Sequence, residues 1–186
     1  MLSHKINDDI QLKMLDHRYV DELFGLIDKN RAYLREWLPW VDGSISIEQT
    51  KSFVQSSLHL FAENNGFQLG VFYKDRIAGC IGLHYIDWAN KKTSIGYWLA
   101  EEFQGRGLMT RACQALIDYL FHDLALNRVE IRAAVLNAKS RAIPERLQFA
   151  NEGTSRQAEW LYDYYVDHII YGMLAVNWTK PRGGPS

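Results

Sequence analysis

The segment from Leu108 to Leu124 repeats apolar residues at intervals of three and four positions along its whole length. Such spacing aligns side chains along one face of an α-helix, and an apolar helix face has to be buried against another element. The residues that follow this spacing are Met109, Ala112, Cys113, Leu116, Ile117, Leu120, Phe121 and Leu124. The segment therefore predicts a helix that packs one side into a hydrophobic core.

Apolar residues that alternate with polar ones predict β-strands before and after this helix. The predicted strands cover 10–14, 67–73, 77–85, 93–99, 129–135, 151–160 and 166–174. Further helices are predicted over 20–27, over 140–147 and from Ser46 or Ile47 to near Asn64, with a packed turn at 32–41. We therefore predict one α+β domain over residues 1–180, in which helices flank a mixed, mostly antiparallel sheet, and a flexible tail at 181–186.

Composition and charge argue against several classes of partner. The chain has 186 residues, of which 47% are hydrophobic, so it has enough material for a sizeable core. Its net charge of -1 comes without any run of Lys or Arg, which argues against a nucleic-acid partner. No segment approaches the ~20 apolar residues of a membrane span and the start lacks an apolar leader, so we expect a cytoplasmic location and no membrane partner.

The cysteines and histidines show no metal-ligand spacing. Cys80 and Cys113 lie in apolar segments, which predicts small buried side chains in a reducing compartment. The six histidines follow no ligand pattern, and we interpret His84 and His168 as packed or half-exposed strand side chains rather than ligands or bases. We therefore predict no metal.

A glycine-bearing loop connects a predicted strand to the amphipathic helix. Gly105 and Gly107 allow a tight bend close to the first N–H groups of the helix, which lack intrahelical partners and attract anions. Arg106 adds a positive charge there, and the pyrophosphate of coenzyme A would suit such a turn. The same glycine pair also occurs in ordinary tight turns. A Rossmann fingerprint would need a glycine at Thr110, and a P-loop would need Gly-Lys-Ser or Gly-Lys-Thr, so both nucleotide motifs are excluded.

The loop and a second motif resemble the GNAT superfamily. The coenzyme A motif of that family reads Gln or Arg-x-x-Gly-x-Gly or Ala, and the matching residues are Gln104-Gly105-Arg106-Gly107-Leu108-Met109, with Met109 in place of the small residue. Asn137-Ala138-Lys139-Ser140 matches the family pattern Asn-x-x-Ser, and Gln148 stands where the family has glycine. The chain is most similar to the RimJ/RimL-type branch, from Trp37-Leu38-Pro39-Trp40 to Gln157-Ala158-Glu159-Trp160-Leu161.

This resemblance implies a GNAT-type fold in which the strands ending at Leu99 and near Val135 splay apart and form a cleft for acetyl-CoA. The cofactor-binding residues implied are Tyr97, Trp98, Leu99, Gln104, Gly105, Arg106, Gly107, Leu108, Met109, Thr110, Asn137 and Ser140. Motif matching places the catalytic base on Glu159 and the donor to the leaving sulfur on Ser140. Glu159 lies on a predicted strand and is also compatible with a solvated or paired charge. Ser140 opens a predicted short helix and is also compatible with an N-cap.

The resemblance further implies direct transfer of an acetyl group to an amine, in particular to the N-terminal α-amine of a ribosomal protein. A small-molecule amine or antibiotic is an alternative acceptor, and a coenzyme A-binding regulatory module without catalysis is an alternative outside the enzymes. Trp37, Trp40 and Trp160 are compatible with an acceptor groove but are more typical of core or subunit contacts. The aromatic content and the branch both favour a homodimer.

Overall fold

The computed structural model describes residues 3–178, which form one eight-stranded sheet with helices packed against it. The strands are β1 Ser3–Lys5, β2 Ile10–Met14, β3 Gln68–Tyr73, β4 Arg76–Asp87, β5 Lys92–Leu99, β6 Arg128–Ala134, β7 Ala150–Leu161 and β8 Tyr164–Leu174. The helices are α1 Val20–Lys29, α2 Arg31–Arg35, α3 Ile47–Ala62, α4 Leu108–His122 and α5 Ala138–Arg146. The strand order is β1-β2-β3-β4-β5-β6-β8-β7.

The predicted mixed sheet is confirmed, and the structure adds two elements. β1 precedes the first predicted strand, and α2 occupies part of the segment predicted as a packed turn. A capping box formed by Ser46 and Gln49 begins α3, as the prediction of a start at Ser46 or Ile47 requires. Gln148 adopts a left-handed conformation with φ of 61°, in the place where the family has glycine. The tail predicted at 181–186 lies outside the described residues.

Helix α4 supplies much of the core beneath the sheet. Its predicted apolar face is confirmed, because Ala112, Leu116 and Ile117 are fully buried. Cys80 and Cys113 are free and buried, as predicted, and burial raises the pKa of both thiols far above the usual range. Neither cysteine can therefore present a reactive thiolate at neutral pH.

The β5–β6 pair, the one parallel pair among the described strands, separates part-way along its length. Its register runs from Lys92 opposite Arg128 to Ile95 opposite Ile131 and then stops. Beyond that point β5 continues beside β4 to Leu99, while β6 continues beside β8 to Ala134. We call this opening the fork, and it confirms the predicted splay of the two strands.

The two faces of the sheet differ at the fork. Ile95, Val129 and Ile131 are buried in the core with α4. Because side chains alternate along a strand, Ser94 on β5 and Arg132 on β6 lie on the opposite face. A polar ladder continues on that face, where Arg128 pairs with both Glu130 and Glu152. At the fork the sheet therefore has one apolar face, which packs with α4, and one charged face.

Candidate active site

A cavity of about 310 Å³ lies between the two arms of the fork. Several residues implied by the family resemblance line its wall, namely Tyr97, Trp98, Leu99, Gln104, Met109, Asn137 and Ser140. The remaining lining residues come from α2 and the segment after it and from the start of α5, and they are Tyr33, Leu34, Glu36, Trp37, Leu38, Leu136, Ala138, Lys139 and Ile143. The end of β5, the start of α4 and the start of α5 thus meet at one opening.

The glycine turn at the start of α4 has the geometry of an anion site. Gly105 and Gly107 adopt positive φ angles of 74° and 69°, and Gly107 is the N-cap residue without any side-chain cap. A Cβ atom at either glycine would meet no other atom within 4 Å, so the space in front of the turn is open. The first turn of α4 contains no acidic side chain. Its unpaired N–H groups and the helix dipole therefore favour a bound anion.

Polar contacts fix this turn in place and bring a further cation to it. Gln104 donates from Nε2 to the carbonyl of Leu99 at 3.2 Å, which ties the turn to the end of β5. Arg106 packs over the ring of Tyr73 at 5.6 Å from its centroid. Arg146 at the end of α5 reaches Thr110, with 3.5 Å between Nη1 and Oγ1. The sequence analysis missed Arg146 because nothing in its local pattern indicates a contact with the start of α4.

Helix α5 begins at Ala138, so Ser140 is not its N-cap residue. Asn137 is the N-cap residue, and its Oδ1 accepts a hydrogen bond from the Ser140 amide at 3.1 Å. Tyr97 donates its hydroxyl to the carbonyl of Ser140 at 2.9 Å, which links β5 to α5. Burial raises the pKa of Tyr97 well above its usual range, so this hydroxyl stays neutral. The Ser140 side chain is thereby left out of the capping interaction.

Glu159 lies on β7 and contacts a histidine of the neighbouring strand. Its Oε2 is 3.4 Å from Nε2 of His168, and its side chain is 33% exposed. The wall of the cavity does not include Glu159, nor does it include Gly105, Arg106, Gly107, Leu108 and Thr110 of the turn. Glu159 and these residues of the turn are therefore not part of the cavity lining.

The tip of the β7–β8 hairpin is fastened to the segment that lines the cavity. The Tyr162 hydroxyl donates to the carbonyl of Leu38 at 2.6 Å. Arg35 stacks over the Tyr162 ring at 3.8 Å from its centroid and pairs with Asp42 at 2.8 Å. The strand that carries Glu159 is thereby held against the cavity wall, a connection that separate sequence motifs could not predict.

The tryptophans of the sequence analysis divide between the cavity and the surface. Trp37 lines the cavity, whereas Trp40 packs beside Trp98 with 6.0 Å between ring centroids. Trp160 is about half exposed on β7 and stacks edge-to-face on Tyr165. One of these side chains thus faces the candidate site, and another is available for a contact outside the chain.

Comparison with known proteins assigns the family. The family profile described as "Acetyltransferase (GNAT) domain" matches residues 10–150. The chain belongs to the GNAT acetyltransferase family. The ribosomal-protein-serine acetyltransferase of Escherichia coli (strain K12) is 33% identical over 91% of this chain and 95% of that protein. The prediction of a GNAT N-acetyltransferase from the sequence is confirmed.

Two solved acetyltransferase structures are similar to the chain in both fold and sequence. RimL, an α-N-protein acetyltransferase of a ribosomal protein solved with coenzyme A, has a TM-score of 0.88 and 32% identity over 91% of this chain and 96% of its own. The microcin self-immunity acetyltransferase MccE, solved with acetyl-CoA and AMP, has a TM-score of 0.88 and 34% identity over 91% of this chain and 94% of its own.

Residues 3–178 contain neither a candidate metal site nor a candidate membrane span. No group of three or more His, Cys, Asp or Glu side chains within this range is arranged to hold a metal ion. No helix in the described part of the chain is long and apolar enough to cross a membrane. The roles of individual residues in this GNAT site remain predictions.

Proposed function

We propose that this GNAT enzyme transfers the acetyl group of acetyl-CoA to the N-terminal α-amine of a protein, with ribosomal proteins as the acceptor class. The observation that carries the proposal is the fork with its cavity, which adjoins an open glycine turn at the start of α4. The similarity to the ribosomal-protein-serine acetyltransferase of Escherichia coli and to RimL supports this acceptor class.

The donor would bind along the fork and the turn. Its diphosphate would accept hydrogen bonds from the backbone at Gly105, Gly107, Leu108, Met109 and Thr110, with Gln104 bracing the turn. Arg106 and Arg146 would add positive charge near the phosphates. The pantetheine arm would lie against Tyr97, Trp98 and Leu99, whose backbone continues past the last pairing with β6. The thioester would then reach the start of α5, at Asn137 and Ser140.

The acceptor has to arrive as a neutral amine before it can attack the thioester. An α-amine has a pKa of about 7.7–8.0, against about 10.4 for lysine, so a carboxylate acting directly or through water is a sufficient base for it at neutral pH. Glu159 would accept this proton. Its contact with His168 and the hairpin docking at Tyr162 would hold the carboxylate in position. The acetyl group then moves without a covalent acyl-enzyme.

Ser140 would donate a hydrogen bond to the departing sulfur. We expect Ser140→Ala to lower kcat about tenfold, because a thiol of pKa about 8.5 leaves readily and needs only modest help. The fold should be unaffected, since the amide rather than the hydroxyl of Ser140 takes part in the N-cap. Steady-state assays with peptide acceptors measure the effect, and an unchanged kcat would remove Ser140 from this role.

A small-molecule amine is the second candidate acceptor. The similarity to MccE, whose solved complex contains AMP beside acetyl-CoA, favours it. Incubation with acetyl-CoA and a panel of peptides that differ in their first residue, followed by mass spectrometry, separates the candidates. Acetylation at the peptide α-amine, absent from peptides with a blocked N-terminus, is the expected result. Acetylation of small amines alone would favour the second candidate, and thioester hydrolysis alone would indicate a module without transfer activity.

We also propose that the enzyme is a cytoplasmic homodimer. Trp160, Tyr164 and Tyr165 are about half exposed at the end of the β7–β8 hairpin, and exposed aromatic clusters are enriched at interfaces. The free cysteines and a ribosomal acceptor both agree with a reducing compartment. Sedimentation at micromolar concentration is expected to give a dimer, and a monomer would contradict the proposed assembly.

A further inference from the structure

An imidazole ring lies at the point where the fork opens. His84 extends from β4 across β5, and its Nε2 is 2.9 Å from the position that a Cβ atom would occupy at Gly96. Gly96 directly follows Ile95, the last residue of β5 that pairs with β6. Any larger residue at position 96 would displace the ring. The backbone at the start of the fork is therefore shaped to accommodate His84.

The second nitrogen of His84 is held by β5 itself. Its Nδ1 is 2.9 Å from Oγ of Ser94, on the same face of the sheet. When Nδ1–H donates to this hydroxyl, the lone pair of Nε2 is left to accept a proton above the fork. Ser94 thus fixes the orientation of the ring in the way that catalytic histidines are oriented by a hydrogen bond at their other nitrogen.

Charged groups from the neighbouring strands surround the ring. The pKa of His84 is lowered, first because its ring is partly withdrawn from water and then because Arg132 of β6 is close, while Glu159 of β7 acts in the opposite direction. Glu130 pairs with Arg132, and His168 of β8 contacts Glu159. His84 is therefore unprotonated at neutral pH and ready to accept a proton.

His84 and Glu159 lie on strands outside the two arms of the fork, His84 on β4 beside β5 and Glu159 on β7, which β8 separates from β6. His84 covers β5 at Gly96, whereas Glu159 contacts His168, which pairs with Ala134 at the end of β6. The face they share is the charged face that continues from Arg132. Glu159 is also close enough to act electrostatically on His84, so two proton acceptors share this face of the sheet.

We propose that His84 is a second base of the acetyl transfer and works together with Glu159. This inference rests on the proposed function. The acceptor ammonium gives its first proton to Glu159, the resulting amine attacks the thioester carbon, and His84 takes the second proton from the nitrogen of the tetrahedral intermediate. The C–S bond then breaks. In the balance Glu159 and His84 return their two protons to water, and the sulfur, which leaves as a thiolate that accepts a hydrogen bond from Ser140, takes one proton back from water.

Conversion of an ammonium to an amide removes two protons from the same nitrogen, so a second base has a step of its own to perform. A single carboxylate would have to release the first proton before it could take the second. The imidazole avoids this delay, since its lone pair is available as soon as the N–C bond forms. The position of His84 over Gly96 depends on the pairing of β4 with β5, so the sequence alone predicts only a packed or half-exposed strand residue there.

The test is the pH dependence of kcat/KM and kcat for wild type and His84→Gln with an acetylatable peptide. The wild-type rate should fall with acidity at a pH below about 6.5, the usual pKa of imidazole, because protonated His84 cannot accept a proton. In His84→Gln that inflection should be absent and kcat should be about 10- to 100-fold lower, with acetyl-CoA affinity unchanged. His122→Gln, which alters an exposed histidine of α4, should leave the profile unchanged.

A second variant separates chemistry from folding. Gly96→Ala keeps the imidazole but displaces it, so it should lower kcat while retaining an acid inflection. A His84→Gln enzyme with wild-type kcat and an unchanged inflection would overturn the inference alone. A wild type that binds acetyl-CoA but acetylates no amine would overturn the proposed function, and this inference with it.

Discussion

Replacement of Glu159 by alanine is expected to lower kcat by about 10²- to 10⁴-fold, which is the usual loss when a general base is removed. Without the carboxylate, an α-ammonium bound near neutral pH has to lose its proton to water before it can attack. Acetyl-CoA affinity should be unaffected, because Glu159 lies outside the cavity wall and on a different element from the glycine turn. Steady-state kinetics with a peptide acceptor and calorimetry with acetyl-CoA measure the two effects separately.

Two variants control for the change of charge. Glu159→Gln keeps the size of the side chain and should be nearly as slow as the alanine variant. Glu152→Gln removes a carboxylate from the same strand, where it pairs with Arg128, and should leave kcat close to wild type. Turnover at the wild-type rate in Glu159→Ala would exclude Glu159 as the base.

Replacement of Gly107 by asparagine is expected to weaken acetyl-CoA binding by about 10- to 100-fold. Asparagine tolerates the left-handed conformation that Gly107 adopts, so the backbone should persist. The new side chain would project into the open space in front of the turn and obstruct one hydrogen bond to phosphate, which contributes about 1.5–3 kcal/mol. Isothermal titration calorimetry with acetyl-CoA measures the loss.

Gly153 supplies the matched control for this substitution. It also has a positive φ, 118°, and also faces open space, but it lies on β7 away from the turn. Gly153→Asn should therefore retain acetyl-CoA affinity, while denaturant titration reports the free energy of unfolding of both variants. Equal affinity in Gly107→Asn and wild type would show that phosphate does not approach this turn.

Much of the fold follows from the sequence because its signals are local. The apolar spacing of α4 and the alternation in β2, β3 and β5 repeat with the period of the element they form, so each could be predicted from neighbouring residues. The glycine turn was predicted for the same reason, since Gly105 and Gly107 directly precede the helix they introduce. The fork was implied only by the family resemblance, because no local pattern indicates where two paired strands separate.

The remainder of the site depends on contacts between residues distant in sequence. None of these contacts follows from a periodic pattern in the sequence. They are Arg146 with Thr110, Tyr162 with Leu38, and His84 with Gly96. The start of α5, predicted at Ser140, is wrong by two residues for a different reason. Asparagine and serine are both good N-cap residues, and only the backbone geometry shows that Asn137 takes this position and not Ser140.

The hydrogen bond from Tyr162 to Leu38 joins two segments that are separate from those proposed to bind acetyl-CoA. The proposed donor seat is built from consecutive central elements, β5, the turn, α4, β6 and α5. On the other side of the opening, α2 and the segment after it line the cavity, and the β7–β8 hairpin is fastened to that segment through Tyr162. Under the proposed function, substitutions in α2 and the hairpin would change which amine is accepted and leave the donor seat unaltered, so new acceptors would arise from changes outside the central elements.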